Sequence, residues 1–304
     1  MKGNRLENNL FYSIGGITIN VSTNFPFLNN TFHKKLKNFQ VKNPGEDIVY
    51  INHHIGLPLT KINDLGKNVY YRSPWAIYKK DNSWIYVISP EKPIDDGWID
   101  MAIFNNDYTH GDFYHKNKET FDIKNKHSLT FFPTDQILIA QLLADREGIF
   151  LHSGAVILDG AGLMFIGHSG AGKSTTMNML KDRAEILCDD RNIVRHYPNS
   201  FRVYGSWSHG DIPIVSASSA PLKAILFIKK SDKNRLIHIH DKRNIRLRLL
   251  ACLIKPFLTA EWWDKTLPVI EKLVSEVSCY EMEFDLSGDI VPELEKLAKG
   301  NVPS

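Results

Sequence analysis

The sequence has little cysteine: Cys188, Cys252 and Cys279 stand far apart, with no CxxC pair. So sparse and odd a count excludes a disulfide framework and reads as reduced thiols in a cytoplasmic protein. Apolar runs near the roughly 18 residues of a membrane span are missing, and the start, Met1-Lys2-Gly3-Asn4-Arg5-Leu6-Glu7, has no apolar signal core. Neither membrane association nor secretion is expected. No charge of one sign dominates. Lys and Arg number 37 against 34 Asp and Glu, a formal net charge of +3 over 304 residues, too weak a balance to point to nucleic acid. Internal repeats and low-complexity linkers are absent as well. What remains is globular in character, with 43% hydrophobic and 23% charged residues, enough to bury a core and to exclude disorder as the main state.

The texture changes near residue 130. Residues 10–130 are rich in aromatic and β-branched residues interrupted by Asn, Asp, Gly and Pro, which predicts a mostly β region. Ile14–Val21 and Trp98–Phe104 are strand candidates. Asn68–Tyr78 and Trp84–Ser89 flank Lys79-Lys80-Asp81-Asn82-Ser83 as a hairpin. At Pro133-Thr134-Asp135 the pattern turns helical, with Thr134 or Asp135 as cap and Gly148 as stop. Two apolar runs follow, Ile149–Leu158 and Leu163–Gly167, then a helix from Lys173 and a buried strand over Ala184–Cys188. Further strands are predicted near Arg202–Tyr204, Lys223–Lys229, Leu236–His240 and Tyr280–Phe284. Helices are predicted near Asn244–Ile254, Ala260–Val277 and Val291–Lys299. The chain therefore divides into a β-rich domain over 1–130 and an α/β domain over 131–304.

One motif in the second part carries chemistry. Gly167-His168-Ser169-Gly170-Ala171-Gly172-Lys173-Ser174 fills every fixed position of G-x-x-x-x-G-K-[ST], followed by Thr175. It follows an apolar strand and opens a helix, the context such a loop requires. Glycines let successive N–H groups turn toward phosphate oxygens, and the helix N-terminus adds partial positive charge. Lys173 is placed for the β/γ-phosphates, and the Ser174 hydroxyl is a hard oxygen ligand for Mg²⁺. This predicts ATP and Mg²⁺ as cofactors. His168 sits at a variable position.

Fifteen residues after Ser174 come Asp189 and Asp190, at the end of the next predicted strand. Neighbours on an extended chain point to opposite sides, so one carboxylate can face the metal and the other an acceptor hydroxyl. Carboxylates this close behind the loop favour a kinase over a mechanical ATPase.

These residues resemble a family. Leu151-His152-Ser153-Gly154-Ala155-Val156, the loop, Cys188-Asp189-Asp190-Arg191 and Gly205-Ser206-Trp207-Ser208-His209-Gly210-Asp211 are similar to the catalytic domain of HPr kinase/phosphorylase. The resemblance spans roughly 133–240. It is strongest to HPr-kinase-like proteins of peptide-maturation clusters, including kinases of a serine in lasso-peptide precursors. It implies a P-loop-containing phosphoenolpyruvate-carboxykinase-like catalytic domain. The activity it implies is ATP-dependent phosphorylation of a serine on a peptide or protein partner. It further implies that Asp189 accepts or orients the serine proton, that Asp190 stands on the metal side and that His152 lies close to the transferred phosphate. Arg191 would pair with the carboxylates or with phosphate, and His209 and Asp211 would complete the site from the opposite loop.

Two other readings stay open, a small-molecule kinase and a non-catalytic nucleotide-gated peptide-binding module. Homo-oligomerisation is open too. His53-His54 is expected as a surface pair, His33-Lys34-Lys35-Leu36-Lys37 as a solvated face, and Trp262-Trp263 as packing.

Overall fold

The computed structural model describes residues 8–25, 27–28, 31–58, 64–88, 100–117, 126–130, 135–256 and 259–300. Ser89, Trp98, Pro133 and Thr134, which figured in predicted elements, lie outside these. The chain forms two compact units, Met1–Leu138 and Ile139–Ser304. Among the described residues no helix is long and apolar enough to cross a membrane.

The first unit is built on strands β1 (Asn9–Ile14), β2 (Ile17–Thr23), β3 (Gln40–Val41), β4 (Ile48–Ile55), β5 (Lys67–Arg72), β6 (Trp75–Lys80), β7 (Ser83–Ile88), β8 (Asp100–Asn105) and β9 (His110–His115). They form one sheet in the order β3-β1-β2-β4-β9-β8-β7-β6-β5, parallel where β4 meets β2 and β9. The segment predicted as one strand over Asn68–Tyr78 is two, because Pro74 has no N–H to continue a ladder and the chain reverses there. The run at 33–37 is a short 3-10 helix, Lys34–Phe39, that buries Leu36 and Phe39.

His53 corrects the expectation of a surface pair: it is buried, while His54 on the opposite face of β4 lies 2.8 Å from Asp112. Parallel pairing with β9 brings two distant histidines together. His53 Nδ1 lies 2.9 Å from His115 Nε2, and His115 Nδ1 lies 2.9 Å from Asp100 Oδ1. His53 Nε2 reaches the Leu129 carbonyl at 3.1 Å.

Helix α1 (Asp135–Ala144) follows. Asp135 is its first residue, and its carboxylate accepts from the Leu129 and Thr130 N–H groups. The strands of the second unit are β10 (Gly148–His152), β11 (Gly154–Leu158), β12 (Ala161–Ile166), β13 (Glu185–Cys188), β14 (Arg191–Tyr197), β15 (Ser200–Tyr204), β16 (Ser219–Lys230), β17 (Arg235–His238) and β18 (Ser278–Phe284). Helices α2 (Lys173–Leu180), α3 (Lys242–Cys252), α4 (Ala260–Glu276) and α5 (Val291–Ala298) complete it.

Its strands read as unbroken apolar runs because both faces are covered. Alternate residues of β12 and β16 supply two cores. Met164, Ile166, Ile225 and Phe227 pack with Ile245 of α3 and with Trp262 and Ile270 of α4. Leu163, Phe165, Ala224 and Leu226 pack with Met177 of α2 and Leu294 of α5. The unit is thus mixed α/β, a sheet between two helical layers. β16 runs parallel to β12 and to β18. β11 pairs antiparallel with both β12 and β13, so β12, β13 and β16 all end on one side of the sheet. The candidate site is on that side.

Candidate active site

The turn from β12 to α2 carries the G-x-x-x-x-G-K-[ST] motif, Gly167 to Ser174. Gly172 caps the helix with φ 114°, a left-handed conformation that favours glycine. A Cβ there would also stand 2.6 Å from Phe284. Lys173, first in the helix, lies back over the loop and donates to the carbonyls of Gly167 (2.9 Å) and His168 (3.4 Å). Burial pulls its ammonium below the ordinary lysine value, against the upward pull of Cys252, Asp190, Asp189 and Asp211.

Asp189 and Asp190 form the bend between β13 and β14, and their side chains meet different partners. Asp189 is buried. Its Oδ1 accepts from the Gly210 N–H at 2.7 Å and its Oδ2 from the Ile212 N–H at 2.9 Å. The Ser174 hydroxyl faces Asp189 Oδ2 at 3.5 Å and Asp211 Oδ2 at 3.2 Å. Asp190 turns the other way, with Oδ1 3.0 Å from His152 Nδ1 and Oδ2 bonded to the Arg191 guanidinium. Burial pushes the Asp190 carboxyl up. The His152 hydrogen bond and the Arg191 charge outweigh it, and the group ends below the ordinary carboxylate value. The carboxylates beside Ser174 are therefore Asp189 and Asp211. Asp190, which the resemblance put on the metal side, is engaged by His152 and Arg191 instead.

The segment 205–212 forms the opposite wall, fastened to the end of β13. Ser206 Oγ donates to the Arg191 carbonyl at 2.6 Å, and the Cys188 thiol to the Ser208 carbonyl at 2.8 Å. Burial raises that thiol to about 11, so it stays a neutral donor. Trp207 is buried. A Cβ at Gly210 would stand 3.2 Å from Asp189 Oδ2, so glycine lets this wall approach the carboxylate. His209 is half-buried and folds its Nδ1 onto the Gly210 carbonyl.

These elements enclose a cleft of about 400 Å³ lined by His152, Ser169, Gly170, Gly172, Lys173, Ser174, Thr175, Asp189, Asp190, Gly210, Asp211 and Lys230. Of the sequence-predicted residues, Gly167, His168 and Ala171 shape the loop without lining the cleft, and Arg191 and His209 do not line it either. Lys230 escaped sequence reading. A lysine pair ending an apolar strand carries little signal until the strand's direction is known. Ser174, Asp189 and Asp211 offer hard oxygens at one spot, a donor set that fits Mg²⁺ sharing its remaining positions with phosphate and water.

The family model for the SynChlorMet cassette protein ScmC matches residues 124–299, more than half of the chain. The chain belongs to the ScmC family. Every residue lining the cleft lies inside the ScmC match. No curated protein matches the chain. Among solved structures, the Hpr(Ser) kinase/phosphatase from Coxiella burnetii is similar at 9% identity and a TM-score of 0.32, over 50% of this chain and 88% of that one.

Proposed function

We propose that the cleft binds a magnesium-bound nucleoside triphosphate and transfers its γ-phosphoryl group to the hydroxyl of a serine on a peptide or protein. The observation that carries this reading is convergence. A phosphate loop with Lys173 and Ser174, a carboxylate pair beside Ser174 and a His152–Asp190 pair all line one cleft. The resemblance to the phosphoenolpyruvate-carboxykinase-like kinases, by motif, agrees with it.

In this reading the loop N–H groups and the α2 N-terminus hold the phosphates, and Lys173 leaves the loop carbonyls to meet them. Ser174, Asp189 and Asp211 would hold Mg²⁺, which would supply positive charge next to the phosphate oxygens. Both Asp189 oxygens already accept backbone N–H groups, which suits a holding role. The proton of the attacking serine then falls to the other side of the chain. Asp190 orients His152 through Nδ1, leaving His152 Nε2 to take the hydroxyl proton as the serine oxygen bonds to phosphorus and the nucleoside diphosphate leaves. Phosphoryl transfer asks mainly for positioning and charge stabilisation, and the cleft offers both.

The test is to incubate the full chain with Mg·ATP and serine-bearing peptides and to look by mass spectrometry for a gain of one phosphate. His152→Gln is expected to keep Mg·ATP binding and lose transfer. A His152→Gln variant that transfers at the wild-type rate refutes the assigned base, and a wild-type chain that binds no Mg·ATP refutes the whole reading.

A further inference from the structure

We propose that Lys230 is a second phosphate-binding cation of the cleft, acting with Lys173 on the phosphate chain of a nucleoside triphosphate. The inference rests on the nucleotide reading above and deepens it.

Lys229 and Lys230 end β16, and successive strand residues face opposite sides. The two lysines differ in their partners. Lys229 Nζ is held by Glu283 at 2.9 Å and Glu281 at 3.2 Å. The Lys230 ammonium has no carboxylate or hydrogen-bond partner among the described residues, and its side chain lines the cleft. Its position follows from the topology. β16 lies parallel beside β12 with Phe227 opposite Ile166, so both strands run on toward the cleft, one into the phosphate loop and the other to Lys230.

Charge gives Lys230 its purpose. The cleft is lined by Asp189, Asp190 and Asp211. Asp190 is ion-paired with Arg191, which leaves Asp189 and Asp211 against Lys173, an excess of one negative charge toward a polyphosphate. Lys230 cancels that excess, so one divalent cation would make the cleft net positive. An ammonium on a flexible stem acts as a point charge and suits a phosphate oxygen without demanding a fixed bidentate geometry.

The experiment is calorimetric titration of Mg·ATP into the full chain, comparing wild type with Lys230→Ala, Lys230→Arg and Lys229→Ala. Lys230→Ala should weaken Mg·ATP by about three- to tenfold, as loss of a solvent-accessible charge contact does, with an unchanged melting temperature. Lys230→Arg should recover most of the affinity. Lys229→Ala removes the same charge one residue away and leaves Glu283 with Arg235 and Glu281 with Arg248, so it should bind as wild type does. The proposal fails if Lys230→Ala binds Mg·ATP like wild type, or if Lys229→Ala weakens it equally. A wild-type chain that binds no Mg·ATP is a different result, overturning the nucleotide reading and this role with it.

Discussion

Asp189→Asn should do more than silence a carboxylate. The side chain keeps its size but exchanges one oxygen for an NH₂ group. Wild-type Oδ1 and Oδ2 each accept a backbone N–H, from Gly210 at 2.7 Å and Ile212 at 2.9 Å. An amide has a single acceptor oxygen, so one N–H must face another donor. A hydrogen bond to a charged acceptor contributes about 1.5–3 kcal/mol. Neutralising a buried carboxylate recovers part of its desolvation cost, which places the net loss near the lower end, about 2 kcal/mol. In a unit of this size that corresponds to a melting temperature lower by about 4–8 °C. Asp189→Ala leaves both N–H groups unmet and should cost more than Asp189→Asn. Thermal unfolding by circular dichroism measures the shift, and hydrogen exchange at Gly210 and Ile212 localises it. An Asp189→Asn variant that melts with wild type, its two amides equally protected, would show that this carboxylate does not hold the wall.

Two further outcomes are expected. Burial lowers His53 well below its ordinary value and His115 to about 3, with Lys126 and His54 among the charges adding to this, while burial raises Asp100 to about 6 against the pull of Lys126. Between about pH 4 and 6 the unfolded chain then holds both histidine protons and the folded chain the Asp100 proton, a net difference of one, so stability should fall by about 1.4 kcal/mol per pH unit on acidification. It should be level only above about pH 7.5, once the unfolded histidines have lost their protons. Denaturant midpoints against pH read this, and a midpoint constant from pH 6 to 4 contradicts it. In the second unit, Trp262 is buried and its Nε1 donates to the Ala140 carbonyl at 3.1 Å. Trp262→Phe should therefore destabilise by about 1–3 kcal/mol, and Trp263→Phe, at a partly buried position, by less. Equal midpoints for the two variants would rule out the assigned packing role.

How much of this was legible from residues alone depends on the range of the interaction. The loop at 167–174 is local, and a strand before and a helix after could be read from apolar runs and glycine spacing. Asp189 and Asp190 were less plain: they were read as the end of a strand, but β13 stops at Cys188 and the two form the bend before β14. Which carboxylate meets Ser174 was not legible, because the groups that seize Asp189 are backbone N–H donors more than twenty positions away. Backbone donors carry no residue identity. His53 failed for a related reason: its partner His115 is 62 positions on, joined through parallel pairing that no local pattern encodes. The break at Pro74 was in plain view, and there the proline should have outweighed the aromatic run around it.

The cleft has a floor and a wall of different standing. Its floor ends on β16, a twelve-residue strand laddered to β12 and β18 and buried on both faces over Ala224–Ile228. Its wall, 205–212, is fastened by Ser206, by the Cys188 thiol and by the two oxygens of Asp189. Trp207 and Ile212 of this wall are buried, so the two oxygens of Asp189 grip a segment that packing already holds in place. The carboxylate beside Ser174 therefore reaches the cleft with its orientation set from behind, and whatever engages it from the cleft side meets lone pairs whose direction the wall has fixed.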